Sequence, residues 1–288
     1  MKQFVDFHIH TNISDGSDSV HEIIELAQNN NVSVISITDH NTLDAYAGDA
    51  FLHASSAGLR LVPGVELDVI FEGRQFHLLG YGIDLQNSMI REVCTHNSMV
   101  QEEYNLNLIR CMVKDRIEVN VKEYLEYQIP LGRGGWKLLN YFLDIGLTQS
   151  LLEGTKYYKQ YGFNSNTIKF VSLKEAVKVI KETGGVSILA HPAEQIPYNQ
   201  YDKQHEDFWN ILTAVLKTNI EGIECIHPLH SFGLQKELIN FCNERSLYIS
   251  GGTDYHGHFF NKQKQTIGGQ LIGMNIVERL LQCLSYYE

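Results

Sequence analysis

Short apolar runs that end in histidine or an acidic residue recur along this chain, and their placement limits its fold more than any other feature. Val5-Asp6-Phe7-His8-Ile9-His10 opens the series, residues 32–38 run into Asp39-His40, and residues 59–62 into Pro63-Gly64-Val65-Glu66. Residues 186–190 end at His191-Pro192, residues 220–226 carry Glu224 and lead to His227 and His230, and residues 247–250 lead to Asp254-Tyr255-His256. Each run is rich in β-branched residues and too short for a helix, so each reads as a buried strand. Helical patterns separate them. Ser19-Val20-His21-Glu22 and Ser172-Leu173-Lys174-Glu175 are capping boxes, and further helices are expected over 42–57 with Gly58 as cap, 207–217, 233–244 and at the end near Leu284. About seven strand–helix units suit a parallel barrel or a doubly wound sheet. In a barrel the C-terminal strand ends share one rim, where active sites lie. His21, His53, His96 and His205 fall in helices, outside the series.

Two stretches depart from the alternation. Residues 67–71, a turn at Glu72-Gly73-Arg74 and residues 75–81 read as a hairpin with His77 on its returning arm. Residues 87–168 show helical patterns without strong strands, so the expected organisation is a barrel from 1–86 and 169–288 with a helical insertion, 87–168, capping the substrate. Gly132-Arg133-Gly134-Gly135-Trp136 interrupts that insertion.

A chain of 288 residues buries roughly three quarters of its unfolded surface. Five scattered cysteines without a Cys-x-x-Cys pair read as thiols in a reducing compartment, and neither a leader nor a run of ~18 apolar residues is present, so a cytoplasmic protein is expected. A net charge of −11 disfavours a stable nucleic-acid partner or an anionic membrane surface. An anionic substrate needs metal and local Arg or Lys to supply positive field.

Strand geometry aims His8 and His10 to one side, and Asp15 follows in a Ser-Asp-Gly turn. The carboxylates Asp15, Glu66 and Asp254 and the imidazoles His8, His10, His40, His77, His191 and His256 exceed what one ion can use, so two or three divalent ions are expected. Nitrogen and oxygen ligands without thiolate suit Zn, Mn or Fe. Such a cluster activates water and steadies an in-line displacement, which makes hydrolysis the expected reaction.

Phe7-His8-Ile9-His10-Thr11 with Ser14-Asp15-Gly16, Ile37-Thr38-Asp39-His40-Asn41-Thr42, Pro63-Gly64-Val65-Glu66, His77-Leu78-Leu79-Gly80-Tyr81, Ala190-His191-Pro192 and Gly252-Thr253-Asp254-Tyr255-His256-Gly257 together resemble the ordered motifs of the PHP (polymerase and histidinol phosphatase) superfamily. The resemblance implies a distorted (β/α)7 barrel, a trinuclear site and phosphoesterase activity. It implies His8, His10, Glu66 and Asp254 on a first metal, Asp15, His40 and His256 on a second, and His77 and His191 on a third bridged by Glu66. A metal-bridging hydroxide would be the nucleophile, and Asp39 would hold a ligand imidazole in place. The insertion is similar to that of the nucleotide and small-molecule phosphatase branch. Arg133 aligns with the Arg of that branch's Arg-x-His pair and the His is absent, so Arg133 is the candidate phosphate clamp. His230 or His227 would hold the phosphate or protonate the leaving oxygen.

The expected activity is hydrolysis of a small phosphomonoester, a nucleoside mono- or 3',5'-bisphosphate above all. The alternatives are an exonuclease or oligonucleotide-end phosphodiesterase, a histidinol-phosphate-type phosphatase and, in another class, an amidohydrolase. The last shares an initial His-x-His and a final Asp, but none of the middle strand ends here offers the Lys that its binuclear form often carries.

Overall fold

The apolar runs assemble into one eight-stranded sheet. The computed structural model describes residues 4–199, 203–259 and 265–287. Its first half runs β1 (Phe4–Asp6), α1 (Val20–Asn29), β2 (Val32–Ile37), α2 (Ala50–Ser56), β3 (Arg60–Phe71) and β4 (Arg74–Tyr81). Four helices follow, α3 (Ser88–Lys114), α4 (Val121–Glu126), α5 (Lys137–Asp144) and α6 (Leu151–Gln160). Alternation resumes with α7 (Leu173–Glu182), β5 (Val186–Leu189), α8 (Pro192–Gln195), α9 (Lys203–Leu216), β6 (Gly222–Ile226), α10 (Phe232–Arg245) and β7 (Tyr248–Gly251). After β7 come β8 (Ile272–Gly273), α11 (Glu278–Cys283) and a 3-10 turn, Leu284–Tyr287.

In the order β7-β6-β5-β4-β3-β2-β1-β8, the ends of the sheet meet, and the result is the expected distorted barrel. Past its last strand residue, the β1 segment continues alongside the exit of β7: Phe7 N donates to Gly251 O at 3.2 Å, His10 N to Tyr255 O at 2.8 Å, and Ile9 bridges Tyr255. Gly252 permits this approach, since a Cβ there would stand 2.5 Å from the His8 nitrogen. Asp6 fastens the seam from below, accepting bonds from Thr253 N (2.9 Å), Thr253 Oγ1 (2.7 Å) and Gly268 N (2.9 Å). Burial nevertheless pushes its carboxyl up to about 6.

The barrel is not wholly parallel. β4 runs antiparallel to both β3 and β5 because a two-residue turn joins it to β3, with Glu72 at φ 49° and Gly73 at φ 75°. This reversal puts the start of β4, and so His77 opposite Asp68, on the rim that the other strands reach with their C-terminal ends.

Both capping serines act as expected, Ser19 in a full reciprocal box and Ser172 by accepting from Glu175 N. The helix expected over 42–57 is instead a 3-10 turn, Asp44–Tyr46, followed by α2. Gly48 at φ 75° breaks it, and the Tyr46 hydroxyl ties the turn to the barrel through Ile37 O and Gly64 N (2.7 Å). β8, an antiparallel neighbour of β1, carried no sequence signal.

The helices from α3 to α6 bury their own apolar cluster, with Leu108, Ile109, Met112, Leu138 and Phe142 wholly enclosed, apart from the larger cluster under the barrel strands. Asn97 on α3 joins the two, donating to Asp68 O at 2.7 Å and Asn41 Oδ1 at 2.8 Å. Among the described residues no helix is long and apolar enough to cross a membrane.

Candidate metal centre

The rim gathers its polar groups because strand ends converge there and the apolar run below each end holds the backbone still. Glu66, buried within β3, is the hub. Its Oε2 lies 3.1 Å from His8 Nε2, 3.2 Å from His10 Nε2 and 3.4 Å from His40 Nε2. Its Oε1 lies 3.1 Å from His77 Nδ1 and 3.0 Å from His191 Nε2. Asp254 leaves β7 in a left-handed turn, φ 51°, which turns its Oδ1 to 3.3 Å from His8 Nε2 and 3.1 Å from His10 Nε2. Asp15 stands 3.5 Å from His10 Nδ1 and 3.3 Å from His256 Nε2.

These contacts form overlapping groups of ligand atoms. His8, His10, Glu66 and Asp254 make one, His10, Asp15, His40 and His256 a second, and His40, Glu66 and His77 a third. Further groups contain His8, His191 and Glu224, and His77, His191 and Glu194. All nine sequence candidates for metal ligation therefore meet on one rim.

The fit to cations rests on direction as well as distance. His10 Nδ1 and Nε2, His40 Nδ1 and His77 Nδ1 are buried without a hydrogen-bond partner although carboxylate oxygens stand near several of them. Donor atoms that approach one another without hydrogen-bond alignment are arranged as ligands facing a shared cation are. Charge agrees. Burial would neutralise every member, yet Glu66 and Asp254 stay well below the usual carboxylate range beside His8 and its neighbours, with Asp15 also lowered beside His256 and His40. Against the same burial, the carboxylates raise His8, His77 and His191 well above an ordinary imidazole and bring His10 to about 10. The cluster attracts positive charge.

The far nitrogens of several imidazoles are held from behind. Glu224 Oε1 holds His8 Nδ1 at 2.9 Å, Asp68 Oδ1 lies 3.2 Å from His77 Nε2, Glu194 Oε2 lies 2.9 Å from His191 Nδ1, and the Asp254 carbonyl holds His256 Nδ1 at 2.7 Å. Such contacts fix the ring orientation and tautomer of a ligand. Glu224 also accepts from His191 N at 2.8 Å, so one carboxylate steadies two strand ends. Asp68, Glu194 and Glu224 were not among the sequence candidates for the site. Asp68 lies two residues after Glu66, on the same strand face, and Glu194 lies one helical turn after His191, spacings that could have revealed them.

Other candidates take different places. Asp39 holds no imidazole among the described contacts; it accepts from Thr11 N and Thr11 Oγ1 at 2.7 Å each and from Ser14 Oγ at 2.5 Å, and so shapes the loop that carries Asp15. His227 Nδ1 accepts from Leu229 N at 3.2 Å, which leaves Nε2–H facing Asp254 Oδ2 at 3.3 Å. His230 Nδ1 donates to Cys225 O at 3.0 Å while its Nε2 is buried without a partner. Burial and then His227 lower its pKa to about 4, so it is a neutral imidazole at pH 7. Arg133 pairs with Asp144 at 2.5 Å and lies over the Phe259 ring. Its loop nevertheless reaches the rim: Gly135 N donates to Asp15 O at 2.6 Å, a Cβ at Gly134 would stand 2.7 Å from that oxygen, and the Trp136 ring centre is 5.0 Å from that of His40.

Comparison with known proteins agrees with this architecture. The chain is 28% identical to a phosphoribosyl 1,2-cyclic phosphate 1,2-diphosphodiesterase of Eggerthella lenta, over 88% of this chain and 94% of that protein. It is 24% identical to the 5'-3' exoribonuclease Rnm of Escherichia coli, over 87% of this chain and 84% of the relative. Its fold matches that of a candidate metal-dependent phosphoesterase from Bifidobacterium adolescentis with a TM-score of 0.78 at 19% identity, covering 98% and 97% of the two chains. The PHP domain model matches residues 6–227, from the last residue of β1 to just past β6 and including α3 to α6. The chain belongs to the PHP domain family.

Proposed function

We propose that the protein is a metal-dependent phosphoesterase that hydrolyses a phosphate ester of a small ribonucleotide-type molecule at the barrel rim. The observation that carries this reading is the division of Glu66, with His8, His10 and His40 about one oxygen and His77 and His191 about the other. A carboxylate so placed suits the bridge between neighbouring divalent ions. Three ions fit the donor set: His8, His10, Glu66 and Asp254 would hold one, Asp15, His40 and His256 a second, and Glu66, His77 and His191 a third. The mixed nitrogen and oxygen donors favour Zn, Mn or Fe. Such ions, when bound, supply water activation at neutral pH and offset charge on the phosphate.

The chain's own residues supply orientation. Glu224, Asp68 and Glu194 keep His8, His77 and His191 turned to the centre, and His227 steadies Asp254. The neutral His230 leaves Nε2 as a hydrogen-bond acceptor, which suits a substrate hydroxyl or phosphate proton better than donation to a leaving oxygen. The helical insertion, residues 87–168, acts as the cap, because its Gly134-Gly135-Trp136 loop lies on the Asp15 and His40 edge. Arg133 would reach a substrate phosphate by exchanging Asp144 for it.

The similarity to an exoribonuclease favours a second reading, cleavage at the end of a short RNA. One panel separates the two: phosphate and nucleotide release from nucleoside monophosphates, nucleoside 3',5'-bisphosphates, a ribose cyclic phosphate and a short RNA, each with Mn, Zn or Fe. Release from small esters is expected. Release from RNA alone would move the assignment to the nuclease, and silence with every metal would remove the phosphoesterase reading. Run on Arg133→Ala, the same panel should show a raised KM; an unchanged KM takes Arg133 out of the site.

A further inference from the structure

Between the rim and the helical insertion lies a cavity of about 330 Å³, within the span of small-molecule sites, roughly 300–1,000 Å³. One end is His77, a member of the metal cluster. The walls come from β3 and β4, α3, the start of α5, α6 and the loop after it, and they are mixed: Tyr104, Trp136, Tyr158 and Phe163 supply aromatic faces, and polar side chains, Asp68 and Gln75 among them, supply hydrogen-bonding groups. Tyr104 and Tyr158 lie nearly parallel, 18° apart with ring centres at 5.9 Å, and Phe163 meets Tyr104 edge-on at 4.8 Å. Their hydroxyls are tethered, Tyr158 to Asn105 Oδ1 at 2.6 Å and Tyr104 to Asn164 O at 3.1 Å, so the rings are held as a stiff wall. The Gln101 amide adds a polar group.

Trp136 is the unusual member. The residue is 36% exposed, and its ring rests against His40. A large indole left open beside a charged rim is better suited to stacking on a ligand than to packing the fold. A phosphate ester held at the cluster sends the remainder of its molecule along this cavity. Aromatic faces together with amide and carboxylate groups match a flat heterocycle that carries hydrogen-bonding edges, whereas a bare sugar phosphate offers nothing for those faces to stack on.

We propose that this cavity is a nucleobase site and that Trp136 is the stacking residue by which the enzyme selects nucleotides over base-free sugar phosphates. The proposal rests on the phosphoesterase reading and names its substrate class. AMP and ribose 5-phosphate differ only in the base, which makes them the kinetic pair. Trp136→Ala should raise KM for AMP by roughly 5- to 100-fold, the loss of one stacked base, and lower kcat/KM for ribose 5-phosphate far less than for AMP. Trp136→Phe should recover most of the AMP loss. Equal losses on both substrates, or none on AMP, would overturn the proposal. A second measurement needs no turnover. The chain has two tryptophans, so Trp209→Phe leaves Trp136 as the fluorescent reporter, and adenosine should quench it saturably. Unchanged fluorescence would overturn the site. Failure to hydrolyse either substrate would count against the phosphoesterase reading instead, while the quenching titration still decides the cavity.

Discussion

His8 Nδ1 lies 2.9 Å from Glu224 Oε1, an imidazole–carboxylate pair with both side chains wholly buried at the closing seam of the barrel. The carboxylate leaves His8 Nε2 directed to Glu66 and Asp254. Removing such a support from a ligand imidazole costs about 10- to 100-fold in metal affinity or activity. Glu224→Gln keeps the volume but loses the charge, so it should lower affinity for the tightest metal by about that factor. Metal content after dialysis against a graded chelator measures it, and an unchanged content would show Glu224 to be structural only.

Metal removal should be linked to protons. In the metal-free cluster, burial opposes protonation of His10, yet Asp254 and Glu66 hold its pKa at about 10, and carboxylates raise His8, His77 and His191 as well. A pKa of about 10 means that the His10 ring carries a proton at pH 7.5, and a cation must displace it. Titration of the chelator-treated protein with Zn or Mn, repeated in buffers of different ionisation enthalpy, should therefore report net proton release that shrinks as pH rises toward 10. Pure binding without proton release would contradict the charge balance of the rim.

His230 predicts the opposite trend in stability. Its folded pKa is depressed from 6.5 to about 4, chiefly by burial, so the unfolded chain binds its proton more readily between those values. The contribution is fully present above about 6.5 and is lost as pH falls toward 4, up to about 3 kcal/mol by the shift. Urea unfolding at pH 7.5 and pH 5 should show wild type losing more stability than His230→Asn. Parallel losses would mean that the ring is not protonated on unfolding.

Residues 5–10 illustrate how much can be read without coordinates. Alternation along a strand places His8 and His10 on one side whatever surrounds them, and the β-branched stretch before them has no other stable use than burial. The same reasoning applies to residues 32–40 and 186–191, where a short buried strand brings its last polar residue to a rim, so the ligand candidates at those strand ends were local features of the sequence.

What the tertiary structure decided lies between elements. The reversal of β4 depends on a two-residue turn and brings His77 to the rim from the start of its strand. Glu224 and Asp68 work through histidines from other strands, pairings that depend on strand order and register. Asp39 looked like a partner for an imidazole and instead holds Thr11 and Ser14, because the β1 loop crosses directly above it. His77 apart, sequence by itself determined which side chains reach the rim, since periodicity and short strands are set by neighbours in the chain. Which of them face one another, and which merely support, was decided only when the sheet closed, because contacts across the barrel depend on residues more than two hundred positions apart, as with His8 and Glu224.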